Sequence, residues 1–116
     1  MESFYLKFFD FTYIDDIEKQ TLEYEINLCL TTSSQKLNYH VMNLYNKLIN
    51  FFSNYIIKYT HDETFKKCIL YEYIKNTYPN FHQLYLNVMI QNNIFTQSSS
   101  AIVFGVICFV PVLKNL

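Results

Sequence analysis

Residues 101–113, AIVFGVICFVPVL, impose the strongest single constraint on how this chain can fold. They carry no charge and, apart from the weak thiol of Cys108, no hydrogen-bonding side chain. Water solvates such surface poorly, so the fold has to cover it. As a helix the run reaches only about 20 Å, against a bilayer core of about 30 Å. Polar residues close it on both sides, from Thr96 to Ser100 before it and at Lys114 and Asn115 after it. The length therefore argues for a buried element of the body over a membrane span. Ile102, Val103, Val106, Ile107 and Val110 are β-branched, Phe104 and Phe109 are aromatic, and Gly105 weakens a helix. A run apolar on both faces suits a central strand, with Pro111 marking its end or an edge position; the alternative is a short buried helix capped by Ser100.

The remaining composition narrows the class. The chain has 116 residues, enough for one domain over 1–116 that buries a core without staples. Hydrophobic residues make up 51% and charged residues 16%, which argues against a disordered chain. A single glycine leaves almost no material for a phosphate-cradling loop. All nine basic residues are lysine, scattered along a chain of net charge −1. Bidentate guanidinium readout of guanine is thus absent, and with no basic patch the pattern argues against direct nucleic-acid binding. Abundant Asn, Lys, Ile, Tyr and Phe point to an A+T-rich coding genome, such as that of a virus or a parasite. Cys29, Cys68 and Cys108 are odd in number and widely spaced in apolar surroundings, the pattern of reduced, buried thiols. The opening MESFYLKFFDF lacks the basic region and cleavage site of a signal peptide. These features set the expectation of an intracellular, cytoplasmic protein, in the host cytoplasm if viral.

Periodicity then assigns the elements. Phe9, Phe11 and Tyr13 alternate with Asp10 and Thr12, and Leu22, Tyr24, Ile26, Leu28 and Leu30 alternate with Glu23, Glu25, Asn27 and Cys29. Period two is the signature of a strand, so residues 3–31 read as an antiparallel hairpin turned at Asp15–Gln20. Glu23 and Glu25 share its wet face, where a lysine such as Lys7 would sit opposite. Over 35–59 the period changes to that of a helix. Leu37, Val41, Leu44, Leu48, Phe51 and Tyr55 form one apolar stripe, and Met42, Tyr45, Ile49, Phe52 and Ile56 a second beside it. Two stripes exceed what one sheet surface needs; the second must meet another helix of the chain or a partner. Thr60 to Glu63 fits a capping box ahead of a helix to about residue 76, with Phe65, Leu70, Ile69, Tyr73 and Ile74 inward. After the break at Tyr78-Pro79, Asn80 can cap a third helix over 81–91, with Phe81, Leu84, Tyr85 and Val88 inward.

No catalytic constellation emerges. His40, His61 and His82 stand apart from the cysteines in sequence, and no Gly-x-Ser-x-Gly elbow is present. His61, Asp62 and Glu63 are consecutive, so their side chains diverge at a helix start and serve a cap better than a metal. Asp15, Asp16 and Glu18 lack the glycine of a calcium loop. Glu23 and Glu25 are a wet strand face before they are an acid/base pair. No cofactor is implied.

Residues 81–110 faintly resemble the fourth and fifth helices of apoptosis-regulating Bcl-2-like proteins, and Leu44, Leu48, Phe51 and Tyr55 have the spacing of that family's death motif. Against this, residues 98–101 stand where the family has Asn-Trp-Gly-Arg, no Gly-Asp follows Leu48, and the first third reads as strands. The chain is not assigned to that family.

The resulting expectation is an α+β domain: an N-terminal antiparallel β-hairpin, two or three helices, and a C-terminal apolar strand completing a small sheet, with an all-α bundle as the alternative. The expected function is a non-catalytic protein–protein interaction module, an adaptor or an inhibitor, that meets a protein partner or forms a homodimer through Met42, Tyr45, Ile49, Phe52 and Ile56. The alternatives are an enzyme subunit whose site a partner chain completes, with His61 or Glu63 contributing, and a membrane-associated protein anchored by 101–113.

Overall fold

The computed structural model describes residues 4–32, 37–57 and 62–91. Within them the chain is a helical bundle. A short 3-10 turn, Phe4–Phe8, leads into α1 (Asp16–Thr31), α2 (Leu37–Ser53), α3 (Glu63–Thr77) and α4 (Pro79–Gln91). Helix α2 is central and packs against the other three, while α4 also meets α1 and α3. Val41, Leu44, Leu48 and Phe51 on α2 are buried, as its first stripe requires. Burying each such side chain contributes about 1.5–3 kcal/mol.

This arrangement overturns the α+β expectation. Among the described residues no hairpin or sheet forms, and the single strand-like feature is an isolated antiparallel bridge between Phe9 and Ile56. The proposed C-terminal strand at 101–113 lies outside the described residues. Residues 16–31 are helical for two reasons. First, the presumed turn is a helix start: the Asp15 carboxylate accepts from the Glu18 N–H at 3.0 Å, and Asp16 and Glu18 occupy the first turn, where carboxylates favour the helix dipole. Second, the buried residues are Leu22, Ile26 and Cys29, at the i, i+4, i+7 spacing of one helix face. Tyr24, Leu28 and Leu30, expected to share the buried face with Leu22 and Ile26, are exposed.

The N-terminal aromatic run covers the bundle without forming a strand. The Asp10 N–H donates to the Tyr55 carbonyl at 2.8 Å, and the Ile57 N–H donates to the Phe8 carbonyl at 2.9 Å. Between them, Phe9 lies 5.1 Å from the Tyr73 ring and Phe11 lies 6.1 Å edge-on from Phe52. The Thr12 amide and hydroxyl both donate to the Asp10 carboxylate, which turns the chain and holds that carboxyl below the usual range. The Asp15 N–H donates to the Tyr55 hydroxyl at 3.0 Å, tying the start of α1 to the end of α2.

Helices α3 and α4 follow the sequence closely, with two corrections at their caps. Asp62 caps α3, accepting from the Thr64 and Phe65 N–H groups at 2.9 and 3.2 Å; Thr60 and His61 lie outside the described residues. Asn80 is inside α4, whose first residue is Pro79. Proline fits there because its missing N–H has no partner in a first turn. Tyr78 alone joins the two helices, its N–H donating to the Ile74 carbonyl at 2.8 Å.

Candidate functional site

Two places concentrate unusual chemistry, and the first is internal. The second apolar stripe of α2 faces α3, α4 and the N-terminal cover. Tyr45 is fully buried, stacked 3.8 Å from Tyr85 and flanked by Tyr71 and Phe81. Phe52 is fully buried against Tyr73 at 4.7 Å. Met42, Ile49 and Ile56 are partly buried against the same core. Tyr45 and Phe52 thus have no surface to offer a partner, and the neighbours of this stripe are helices of the same chain.

Against Tyr45 lies His82, 4% exposed. Its Nδ1 is 2.8 Å from the Tyr45 hydroxyl, in a hydrogen bond whose donor depends on the imidazole tautomer. Its Nε2 is buried and has no partner. Burial, and after it the positive charge of Lys75, lowers the His82 pKa to about 4. The same burial pushes the Tyr45 and Tyr85 hydroxyls far above the ordinary range. At neutral pH this cluster is uncharged and closed to solvent, the condition of a polar core pair.

The second place is the outer surface of α1. Ile17, Tyr24 and Leu28 are 80%, 63% and 46% exposed. Their i, i+7, i+11 spacing puts them within about 40° of one another around the helix axis. They form a stripe nearly opposite the buried Leu22, Ile26 and Cys29, so α1 is apolar on two sides. Glu18 and Glu25 border the stripe along one edge, and Asp16 stands on the other. Leu28 also leads into a groove of about 320 Å³ between α1 and α2, lined by Glu25, Leu28, Cys29, His40, Leu44 and Lys47 among others. Glu25 and Lys47 approach to 4.0 Å, both well exposed, a contact that contributes little. Burial, then the nearby Glu25 charge, pushes the Cys29 thiol up, which disfavours the nucleophilic thiolate.

Other sequence candidates separate. Glu23 and Glu25 do not form a pair: Glu23 accepts from the Tyr78 hydroxyl at 2.7 Å, while Glu25 turns to Lys47. The Lys7 ammonium sits 5.5 Å from the Phe8 ring centre. Asp62 is committed to its cap, and Glu63 pairs with Lys66 at 3.2 Å. Among the described residues no group of three His, Cys, Asp or Glu side chains is placed to hold a metal ion, and no helix is long and apolar enough to cross a membrane. Cys29 is a free, buried thiol, and Cys68 is buried in the core; Cys108 lies outside the described residues. The α1 stripe escaped the sequence reading because a strand assignment put Tyr24 and Leu28 inside. Its signal was present in the spacing of Ile17, Tyr24 and Leu28 behind the Asp15 cap. No family model matches the chain, and no curated protein or solved structure matches it.

Proposed function

We propose that this chain is a non-catalytic protein–protein interaction module, an adaptor or inhibitor that acts by occupying a partner's surface. The observation that carries the reading is the exposed stripe of Ile17, Tyr24 and Leu28 on a capped, regular helix. Scattered exposed apolar residues need no explanation, but an aligned set on one helix face is the arrangement that helix–helix recognition uses. The surface assigned to this role is therefore the outer side of α1, in place of the α2 stripe that the core occupies. The neighbouring groove extends it with Leu44 and the stem of Lys47.

The test is site-specific photocrosslinking in the full chain, in cells that express it. A benzophenone side chain at Tyr24 should yield one discrete adduct, and the same probe at the exposed Asn76 on α3 should not. No adduct at position 24, or the same adducts from both positions, would refute the assignment.

A further inference from the structure

The stripe on α1 has a charge pattern as well as an apolar one, and that pattern selects among the surfaces that could cover it. Glu18 and Glu25 are seven residues apart, so they line one edge of the stripe two turns from each other. Asp16 borders the other side near the amino end. Neither Asp16 nor Glu18 takes part in an ion pair among the described residues, and Glu25 has only its long contact to Lys47. The lone lysine of the helix, Lys19, lies on the side turned away from the stripe. Any surface that covers Ile17, Tyr24 and Leu28 therefore brings its own rim against carboxylates.

Resting on the reading of this chain as an interaction module, we propose that the α1 surface receives a basic amphipathic helix. Such a helix carries apolar residues at i, i+3 or i+4, and i+7, with lysine or arginine flanking them. The apolar residues cover Ile17, Tyr24 and Leu28, and one of them enters the groove beside Leu28 and Leu44. The flanking cations face Glu18 and Glu25, with a further one near Asp16. Two other occupants fit less well for the same reason. A second copy docking through its own α1 would bring a matching set of carboxylates, and like charges across an interface are disfavoured. Residues 101–113 carry no charge and offer the carboxylates nothing.

The test uses the full chain and two labelled helical peptides with identical leucine stripes, one flanked by lysines and one by glutamates, read by fluorescence anisotropy. The lysine peptide is expected to bind about tenfold more tightly or better, because several partly exposed charge contacts change sign between the two. That ratio should shrink toward unity in high salt and in Glu18→Gln/Glu25→Gln. Binding itself should be lost in Tyr24→Ser/Leu28→Ser, whose helical circular dichroism should be unchanged because both side chains are exposed. Equal affinity for the two peptides, preference for the glutamate peptide, or a preference that survives Glu18→Gln/Glu25→Gln would overturn the proposal. If the glutamate peptide binds at least as tightly as the lysine peptide and Tyr24→Ser/Leu28→Ser abolishes both, the module reading stands while the basic partner is ruled out. A Tyr24 crosslink of the mass of two chains would identify a second copy as occupant and overturn it likewise. If neither peptide binds and position 24 gives no adduct, both readings fall.

Discussion

Acidification should unfold this bundle partly through His82. The imidazole is 4% exposed, bonded to Tyr45 through Nδ1, and left without a partner at Nε2. Its pKa falls from an ordinary 6.5 to about 4. A histidine held neutral in the fold binds its proton more readily when unfolded. Stability is thus fully present above the unfolded pKa and declines as pH falls from about 6.5 to about 4. At about 1.4 kcal/mol per pKa unit, the loss between pH 7 and pH 4 is about 3 kcal/mol. That is a substantial part of the 5–15 kcal/mol typical of a domain. Acid acts on other groups of the chain as well, so the decisive measurement is a difference. Urea unfolding at pH 7 and pH 4 should be compared for the natural chain and for Tyr45→Phe/His82→Leu. The double variant removes both polar partners and leaves no orphaned hydroxyl. The natural chain should lose about 3 kcal/mol more than the variant over that interval. Equal losses would show that His82 does not stay neutral inside the fold, and the argument from its burial would be wrong.

Phe52→Ala should cost about 3–5 kcal/mol in urea unfolding, as expected for a fully buried aromatic, whereas Ile17→Ser should change stability by less than about 0.5 kcal/mol. Asp15→Ala should remove the α1 cap and lower stability by about 1 kcal/mol, while Asp15→Ser should restore most of it. Tyr78→Phe should cost about 1.5–3 kcal/mol, since the lost hydroxyl donates to the Glu23 carboxylate between α1 and the α3–α4 joint. Iodoacetamide should modify Cys29 more slowly in the folded chain than in urea, and Glu25→Gln should speed the folded reaction, because the raised thiol pKa owes part of its shift to that charge.

Much of the helical body is legible in the residues themselves. Val41, Leu44, Leu48 and Phe51 of one α2 stripe, Tyr45 and Phe52 of the other, the inward set Ile69, Leu70, Tyr73 and Ile74 of α3, and Phe81, Tyr85 and Val88 of α4 all occupy the core. Each follows from apolar spacing near 3.6 residues, a pattern that burial can satisfy in only one way. Their ends were approximate because neighbouring polar residues compete to cap. Asp62 caps α3, and Pro79 rather than Phe81 opens α4.

Residues 16–31 show where that legibility stops. Leu22, Tyr24, Ile26, Leu28 and Leu30 alternate along the chain, and period two describes a strand. The same residues wound on a helix separate into a buried set with Leu22 and Ile26 and an exposed set with Tyr24 and Leu28. The primary structure determines that both sets are apolar. Only packing against α2 and α4 decides which set is hidden, because a helix apolar on two sides has no intrinsic preference between them. The same decision places Tyr45 and Phe52 of α2 inside and leaves Ile17, Tyr24 and Leu28 of α1 outside. The apolar surface left for a partner is thus set by the tertiary arrangement: α3, α4 and the N-terminal aromatics cover α2, and no described element covers the outer side of α1.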